Sequence, residues 1–352
     1  MTADALLAQA VRGWLADFVD NTYLNAQEAS ADGYESTRWD QLRDLGWHAV
    51  TIPDHLGGGD ATLAEACVVA REIGRAAYAS PLLATMRATV VASGGAGYFD
   101  ALVARIAAGA PATLVAPPDR TVTATPVAGG FRLAGEPVVV EWAEVATEVV
   151  LLVPAGGDWV VGVLGRDALD GRVSAVPSVD NERIARVALH GAVVREAVTV
   201  PASAARLALA GANLLRASLM VGGCADVLER TARYATERVQ FGRPIGGFQA
   251  VRHHLARMVI ATDAARLMVD DALERLAEPA VAEVASFTAA RSYVELVLTS
   301  AQVHGAVGTT TEHVLHHHFR RAKAMRSRTG TRALRLRELH DALVVHGEAS
   351  QW

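Results

Sequence analysis

Glu237-Arg238-Val239-Gln240-Phe241-Gly242-Arg243-Pro244-Ile245-Gly246-Gly247-Phe248-Gln249 lies between two long segments of helical apolar spacing. It combines cations, aromatics, glycines and a glutamine that opens the next helix. Glycine lets a backbone come close to a ligand. Arg238 and Arg243 carry forked donors that suit a diphosphate, and the free N–H groups of a helix beginning near Gln249 suit the same anion. On its residues alone, the stretch reads either as such a ligand site or as a helix–helix turn with a phenylalanine plug.

Downstream and upstream of this turn, apolar stripes run over 206–237, 249–278, 281–304 and 312–325, and a last helix is expected over 332–345. Long helices joined by short breaks predict a bundle. Before it, Val, Thr, Gly and Pro rise. Runs at 121–126, 131–133, 138–140, 149–153, 159–163 and 198–200 are separated by turn residues, the pattern of a small antiparallel β domain. The front of the chain is helical again. It has a stripe over 3–25, a helix capped by Ser36 or Thr37 that carries Trp39, Leu42 and Leu45 on one face, and helices over 63–77, 83–93 and 99–108. The expected fold class is mostly α with a β domain (α+β). An N-terminal helical domain (1–112) precedes a middle antiparallel β-barrel or sandwich domain (113–200) and a C-terminal helical bundle (201–352).

The chain has 352 residues, 51% of them hydrophobic and 20% charged, enough to bury a core without disulfides or a structural metal. A net charge of −5 argues against a broad basic nucleic-acid surface. Cys67 and Cys224 are too few and too far apart for a disulfide framework or a zinc site. The first residues lack a basic region followed by an apolar one, and Glu148, Pro154, Gly156, Gly157 and Asp158 break the most apolar stretch, 145–165. No membrane span and a cytoplasmic location are expected. The sole lysine, Lys323, reads as codon bias.

Gly94-Gly95-Ala96-Gly97 follows a helix and not a strand, so it reads as a helix terminator and not a dinucleotide fingerprint. Adjacent residues His316-His317-His318 point in different directions on a helix. His313 and His317 have ligand spacing, but no carboxylate or cysteine nearby in sequence completes a set, and no metal is expected.

Extended through Val251-Arg252-His253-His254-Leu255-Ala256-Arg257-Met258, the opening stretch resembles the RxxFGxxIxxFQxxxxxLAxM stretch of the acyl-CoA dehydrogenase family. Gln302-Val303-His304-Gly305-Ala306-Val307-Gly308 with Glu312-His313, then Arg320-Arg321-Ala322-Lys323, is similar to the family's QxxGGxGxxxEx…RDAK stretch. The segment Trp39 to Trp47, Ile52-Pro53, Leu56-Gly57-Gly58 and Glu72-Ile73-Gly74-Arg75 resemble its N-terminal domain. The resemblance implies a helical domain, a β domain and a four-helix bundle, which is the order read above. It also implies FAD-dependent oxidation of the Cα–Cβ bond of an acyl-CoA thioester, in which a carboxylate takes the α-proton and the flavin takes the β-hydride. By match, Arg238 would reach the FAD diphosphate of a neighbouring subunit. Phe241, Gln249, Gln302, Gly305, Ala306 (a glycine in the family) and Thr331 take other cofactor-contact positions. An electron-transfer flavoprotein is the implied acceptor.

The departures define the expectation further. The family's catalytic glutamate falls at Thr329 in Thr329-Gly330-Thr331, and the alternative position, on the helix before RxxFG, falls at Ala212. Neither residue can take an α-proton, and a positioned base is worth about 10²–10⁴ in rate. The stretch Leu114 to Arg120 lacks the family's Glu and Ser, and Glu141 stands near its flavin-facing Thr or Ser. Some bacterial members, including ones that act on steroid side-chain thioesters, are α2β2 heterotetramers in which one subunit supplies the base and the other lends bundle residues to its partner's FAD. This chain resembles the second kind. The alternatives are a self-sufficient homo-oligomeric dehydrogenase with Glu229, Asp226 or Glu312 as base, an oxidase or monooxygenase of the same fold, and a non-catalytic acyl-CoA-binding or scaffold subunit.

Overall fold

The computed structural model describes residues 2–95, 97–117, 120–331, 333–337 and 339–340. Six helices form the front: α1 (Ala3–Ala16), α2 (Asn21–Ala29), α3 (Ser36–Asp44), α4 (Leu63–Arg75), α5 (Leu82–Ser93) and α6 (Asp100–Ala107). The stripe over 3–25 is two helices and not one. Asp20 is extended, and its carboxylate accepts from the Tyr23 N–H at 2.7 Å, so it starts α2 afresh. Glu35 precedes α3 without a side-chain cap, so Ser36 and Thr37 are helical residues and not the cap expected there. Thr62 and Glu65 open α4 with a reciprocal capping box.

The middle unit holds ten strands: β1 (Ala112–Val115), β2 (Val122–Val127), β3 (Gly130–Gly135), β4 (Val138–Glu141), β5 (Glu148–Ala155), β6 (Asp158–Gly165), β7 (Val173–Val176), β8 (Ile184–Val187), β9 (Val193–Val194) and β10 (Glu196–Val200). They form three sheets ordered β1-β5-β6-β10, β2-β3-β9 and β4-β8-β7. Pairing is antiparallel except that β1 runs parallel to β5. β1 enters from the helices, so no hairpin forces it to run the other way. The sequence pattern misses β1, β7, β8 and β9. β1 is buried on both faces and shows no alternation, and the others are two to four residues long.

The bundle is α7 (Ala202–Glu237), α8 (Gln249–Glu274), α9 (Pro279–His304) and α10 (Leu315–Arg328), with a small hairpin, β11 (Val239–Gln240) and β12 (Arg243–Pro244), between the first two. The helix expected over 332–345 lies largely outside the described residues, of which 333–337 and 339–340 are helical. α7 is the one helix among the described residues long and apolar enough to cross a membrane. It is sheathed instead by α4, α5, α8 and α9. It approaches α4 backbone to backbone: a Cβ on Gly222 would stand 1.8 Å from the Arg71 carbonyl, and one on Gly74 would stand 1.8 Å from that of Leu219. One core joins α1, α3 and α4 to α7–α9, a second lies between α5, α6 and the β1-β5-β6-β10 sheet, and a third fills the β unit.

Candidate cofactor and catalytic site

The residues matched to cofactor contacts gather at one end of the bundle. Arg238 ends α7, and its N–H donates to the Tyr234 carbonyl at 2.8 Å. At the hairpin tip, Phe241 and Gly242 take positive φ of 53° and 77°, and Phe241 is 91% exposed. Arg243 lies 4.2 Å over the Phe248 ring. Arg238 and Gln249 are exposed. α9 ends at the same place: His304 stacks on Tyr234 at 4.2 Å, and Thr231 donates to Ser300 at 2.8 Å. Gln302, Gly305 and Ala306 therefore stand beside the α7 terminus, all three exposed. Gly305 has φ +65°, which suits glycine. Thr331 does not join them. It follows α10, whose end meets the start of α9, where Arg335 pairs with Glu283 at 2.6 Å.

Toward that other end lie the two positions that the resemblance gives to the base, Thr329 and Ala212. Thr329 lines a cavity of about 50 Å³ together with Leu209, Asn213 and Glu283. Ala212, buried beside them on α7, gives its carbonyl to Arg87 Nε at 3.0 Å. Among the described residues Glu283 is the carboxylate in this lining. It accepts from Asn213 Nδ2 at 3.3 Å and from Arg335. Sequence reasoning missed it, because neither its helix nor its spacing sets it apart from a surface glutamate.

A cleft of about 580 Å³ adjoins, between β4, the end of β1 and the bundle. Glu141 ends β4 at its floor. Its Oε2 accepts from Arg216 Nη2 at 2.5 Å and Arg87 Nη1 at 3.2 Å, and Arg328 Nε stands 3.7 Å from Oε1. Arg328 also donates to Asp180 at 2.7 and 2.9 Å and to Ser178 at 3.0 Å. Burial opposes ionisation of Glu141, but Arg216, Arg328 and Arg87 outweigh it and hold the carboxyl at about 2. Burial, with Arg216 beside it, lowers Arg87 to about 9. Behind this floor Glu182 accepts from Arg321 at 2.6 Å and from the Trp142 indole at 2.5 Å. Glu141 was visible in the sequence. The arginines around it were not, since α5, α7 and α10 bring them from three distant stretches.

Other candidates fall elsewhere. Glu229 is half-exposed and pairs with Arg75 at 2.6 Å and Arg233 at 3.0 Å. Asp226 pairs with Arg230 at 2.5 Å and His318 Nε2 at 3.0 Å. Burial opposes its charge, but these partners keep it at about 2. Glu312 is exposed. Neither the 50 Å³ cavity nor the 580 Å³ cleft is lined by any of the three. The carboxylate missing from the histidine run comes from α2: Glu28, His316 and His317 offer ligand atoms within 4.8 Å of one another. Arg320, however, takes both oxygens of Glu28, and the helix N-terminus disfavours a cation there.

Residues 4–98 match the acyl-CoA dehydrogenase N-terminal domain and residues 202–344 the acyl-CoA dehydrogenase C-terminal domain. The chain is 30% identical over 319 residues to the acyl-CoA dehydrogenase IpdE2 of Mycobacterium tuberculosis, covering 90% of each chain. It is 30% identical over 315 residues to the acyl-CoA dehydrogenase FadE27 of the same organism, covering 82% of this chain and 83% of that one. Among solved structures it is similar to a Tcur3481–Tcur3483 steroid ACAD variant, with a TM-score of 0.89, 25% identity and 99% of each chain covered. The ChsE4–ChsE5 complex from Mycobacterium tuberculosis follows at a TM-score of 0.84 and 25% identity, with 98% of each chain covered.

Proposed function

This chain belongs to the acyl-CoA dehydrogenase family, and from that premise we propose that it is the base-lacking subunit of a heteromeric enzyme that desaturates a bulky, steroid-type acyl-CoA. A homologous subunit is its α2β2 partner, an electron-transfer flavoprotein takes the electrons, and the assembly works in the cytoplasm. One observation carries the reading. Ala212 and Arg238 lie 26 positions apart on one unbroken helix, roughly 39 Å at about 1.5 Å per residue. That separation between the diphosphate-type residues and the base positions of this chain supports a site whose two halves come from different chains.

The donor set fits FAD at one end and not at the other. Exposed Arg238, the φ-positive Phe241–Gly242 tip and the Gln302–Ala306 turn present a guanidinium and accessible backbone to a diphosphate that another subunit carries. In the cleft, charged Glu141 stands near the position that the family resemblance gives to a flavin-facing Thr or Ser, and in the smaller cavity beside it Thr329 offers no proton acceptor. Bound FAD supplies the hydride acceptor; this chain's part is to hold and orient it with Arg238, Phe241, Gln249, Gln302, Gly305 and Ala306. The steroid class is that of one structural relative, the Tcur3481–Tcur3483 steroid ACAD.

The test is the visible flavin spectrum of the chain purified alone and co-expressed with its partner. Flavin only in the complex, lost in Arg238→Ala with folding intact, is expected. Stoichiometric flavin in the chain alone, or unchanged flavin in the variant complex, refutes the reading. A second reading, a self-sufficient enzyme, has one observation in its favour: Glu283 shares a cavity with Thr329. Activity of the chain alone that vanishes in Glu283→Gln would establish it.

A further inference from the structure

The cleft beside Glu141 holds more positive charge than its own carboxylates match. Arg87, Arg216 and Arg328 converge there on Glu141 and Asp180, three guanidinium groups against two carboxylates. Arg87 and Arg216 are buried. Arg216 Nε has no hydrogen-bond partner among the described residues. Leaving a buried cation under-compensated is costly, and a carboxylate that accepts from a guanidinium fork relieves it. Leu114, Pro137, Val140 and Ile184, with exposed Val139 and Val179, give the lining an apolar side, and Thr121, Ser178 and Ser327 add hydroxyls to the rest. A space of about 580 Å³ falls within the usual range for small-molecule sites.

We propose that this cleft binds an apolar carboxylic acid as its free monoanion, the carboxylate joining Glu141 among Arg216, Arg87 and Arg328 and the hydrocarbon body lying along the β4 wall. A thioester or an uncharged ring brings no charge to offset the surplus guanidinium. The site needs no partner subunit and no flavin, so it stands apart from the shared-cofactor reading.

Calorimetric titration of the full-length chain at pH 7.5 tests it, with 4-cyclohexylbutyrate as probe, its neutral amide as control and FAD as competitor. The acid binds one to one and the amide at least about tenfold more weakly, because only the acid makes charge-assisted bonds. Glu141→Gln removes the internal competitor and tightens the acid about tenfold. Arg216→Gln weakens it by at least as much. Should the Arg216 variant fail to fold, the Glu141 variant still decides, because its effect runs in the opposite direction to damage. No binding of the acid, equal binding of acid and amide, or unchanged or weaker binding in Glu141→Gln overturns the proposal. FAD displacing the acid would overturn it as well. Loss of acid binding with no FAD bound leaves the shared-cofactor reading standing, whereas FAD bound by the chain alone removes both.

Discussion

Replacing Gly222 with alanine adds one methyl group where α7 crosses α4. The new Cβ would stand 1.8 Å from the Arg71 carbonyl oxygen, and real Cβ atoms essentially never come within 3.0 Å. The obstacle is backbone and not the end of a flexible side chain, so the helices must part by about 1.2 Å at the crossing, the difference between those two distances. A gap of 0.5–1 Å already forfeits about a quarter to a half of the dispersion well. The contact that opens includes Ala70 and Ile73 of α4 and Leu215 and Leu219 of α7, all buried. Overpacking costs typically about 1–3 kcal/mol, and an immovable carbonyl places Gly222→Ala at about 3 kcal/mol or above. At roughly 2 °C per kcal/mol for a large chain, Tm falls by about 6 °C or more. Gly13→Ala is the control. Gly13 is exposed on α1, and a methyl group added there would meet nothing within 4 Å, so the same substitution raises stability by about 0.5–1 kcal/mol through helix propensity. Thermal and urea unfolding of the two variants beside the parent measure both. A Gly222→Ala chain as stable as the parent would refute the reasoning, and so would a Gly13→Ala chain that loses as much.

Arg321→Met strands buried Glu182, a loss of about 3–5 kcal/mol when the carboxylate is charged. Burial pushes the Glu182 carboxyl up against the pull of Arg321, so the penalty shrinks at pH 5 and Glu182→Gln rescues part of it. A penalty that does not change between pH 5 and 8 counts against this account. Burial, with His316 and Arg320 nearby, lowers His317 from 6.5 to about 3, and burial also lowers His48, His304, His313 and His316. Their unfolded forms take protons first, so the stability they contribute is present above pH 6.5 and is lost as pH falls below it. Glu141 and Asp226, both held at about 2, add a second loss as pH drops from about 4.5 toward 2. Urea midpoints across pH 2–8 trace both steps. His317→Leu, which removes two buried ring nitrogens without partners, flattens the upper one. A fall between pH 6.5 and 5 as steep as the parent's would assign that step to the other histidines.

Much of this site is legible in one dimension because its parts are local. The Arg238–Gln249 turn, the Gln302–Ala306 turn and the absence of an acid at Thr329 and Ala212 are facts about short stretches. Counting along a helix places Ala212 without any coordinates. The failures have a common cause. β1 shows no alternation because both of its faces are buried, and α2 separates from α1 through one aspartate that caps it. Glu283, Arg87, Arg216, Arg328 and Glu28 matter through neighbours dozens to hundreds of positions away, and no periodicity records such a meeting.

The sequence alone determined the order of helices, strands and bundle, the family resemblance, and the presence of Thr329 and Ala212 where the resemblance expects an acid, since each depends on residue type and spacing within one segment. Only the tertiary structure decided that Thr329 shares a cavity with Asn213 and Glu283, away from the Arg238 end of α7, and that three arginines from three helices close on Glu141. Helix rise fixes distance along one element, but which side chains share a dry cleft follows from how the elements pack. There, burial turns charges that water would screen into partners that must be matched.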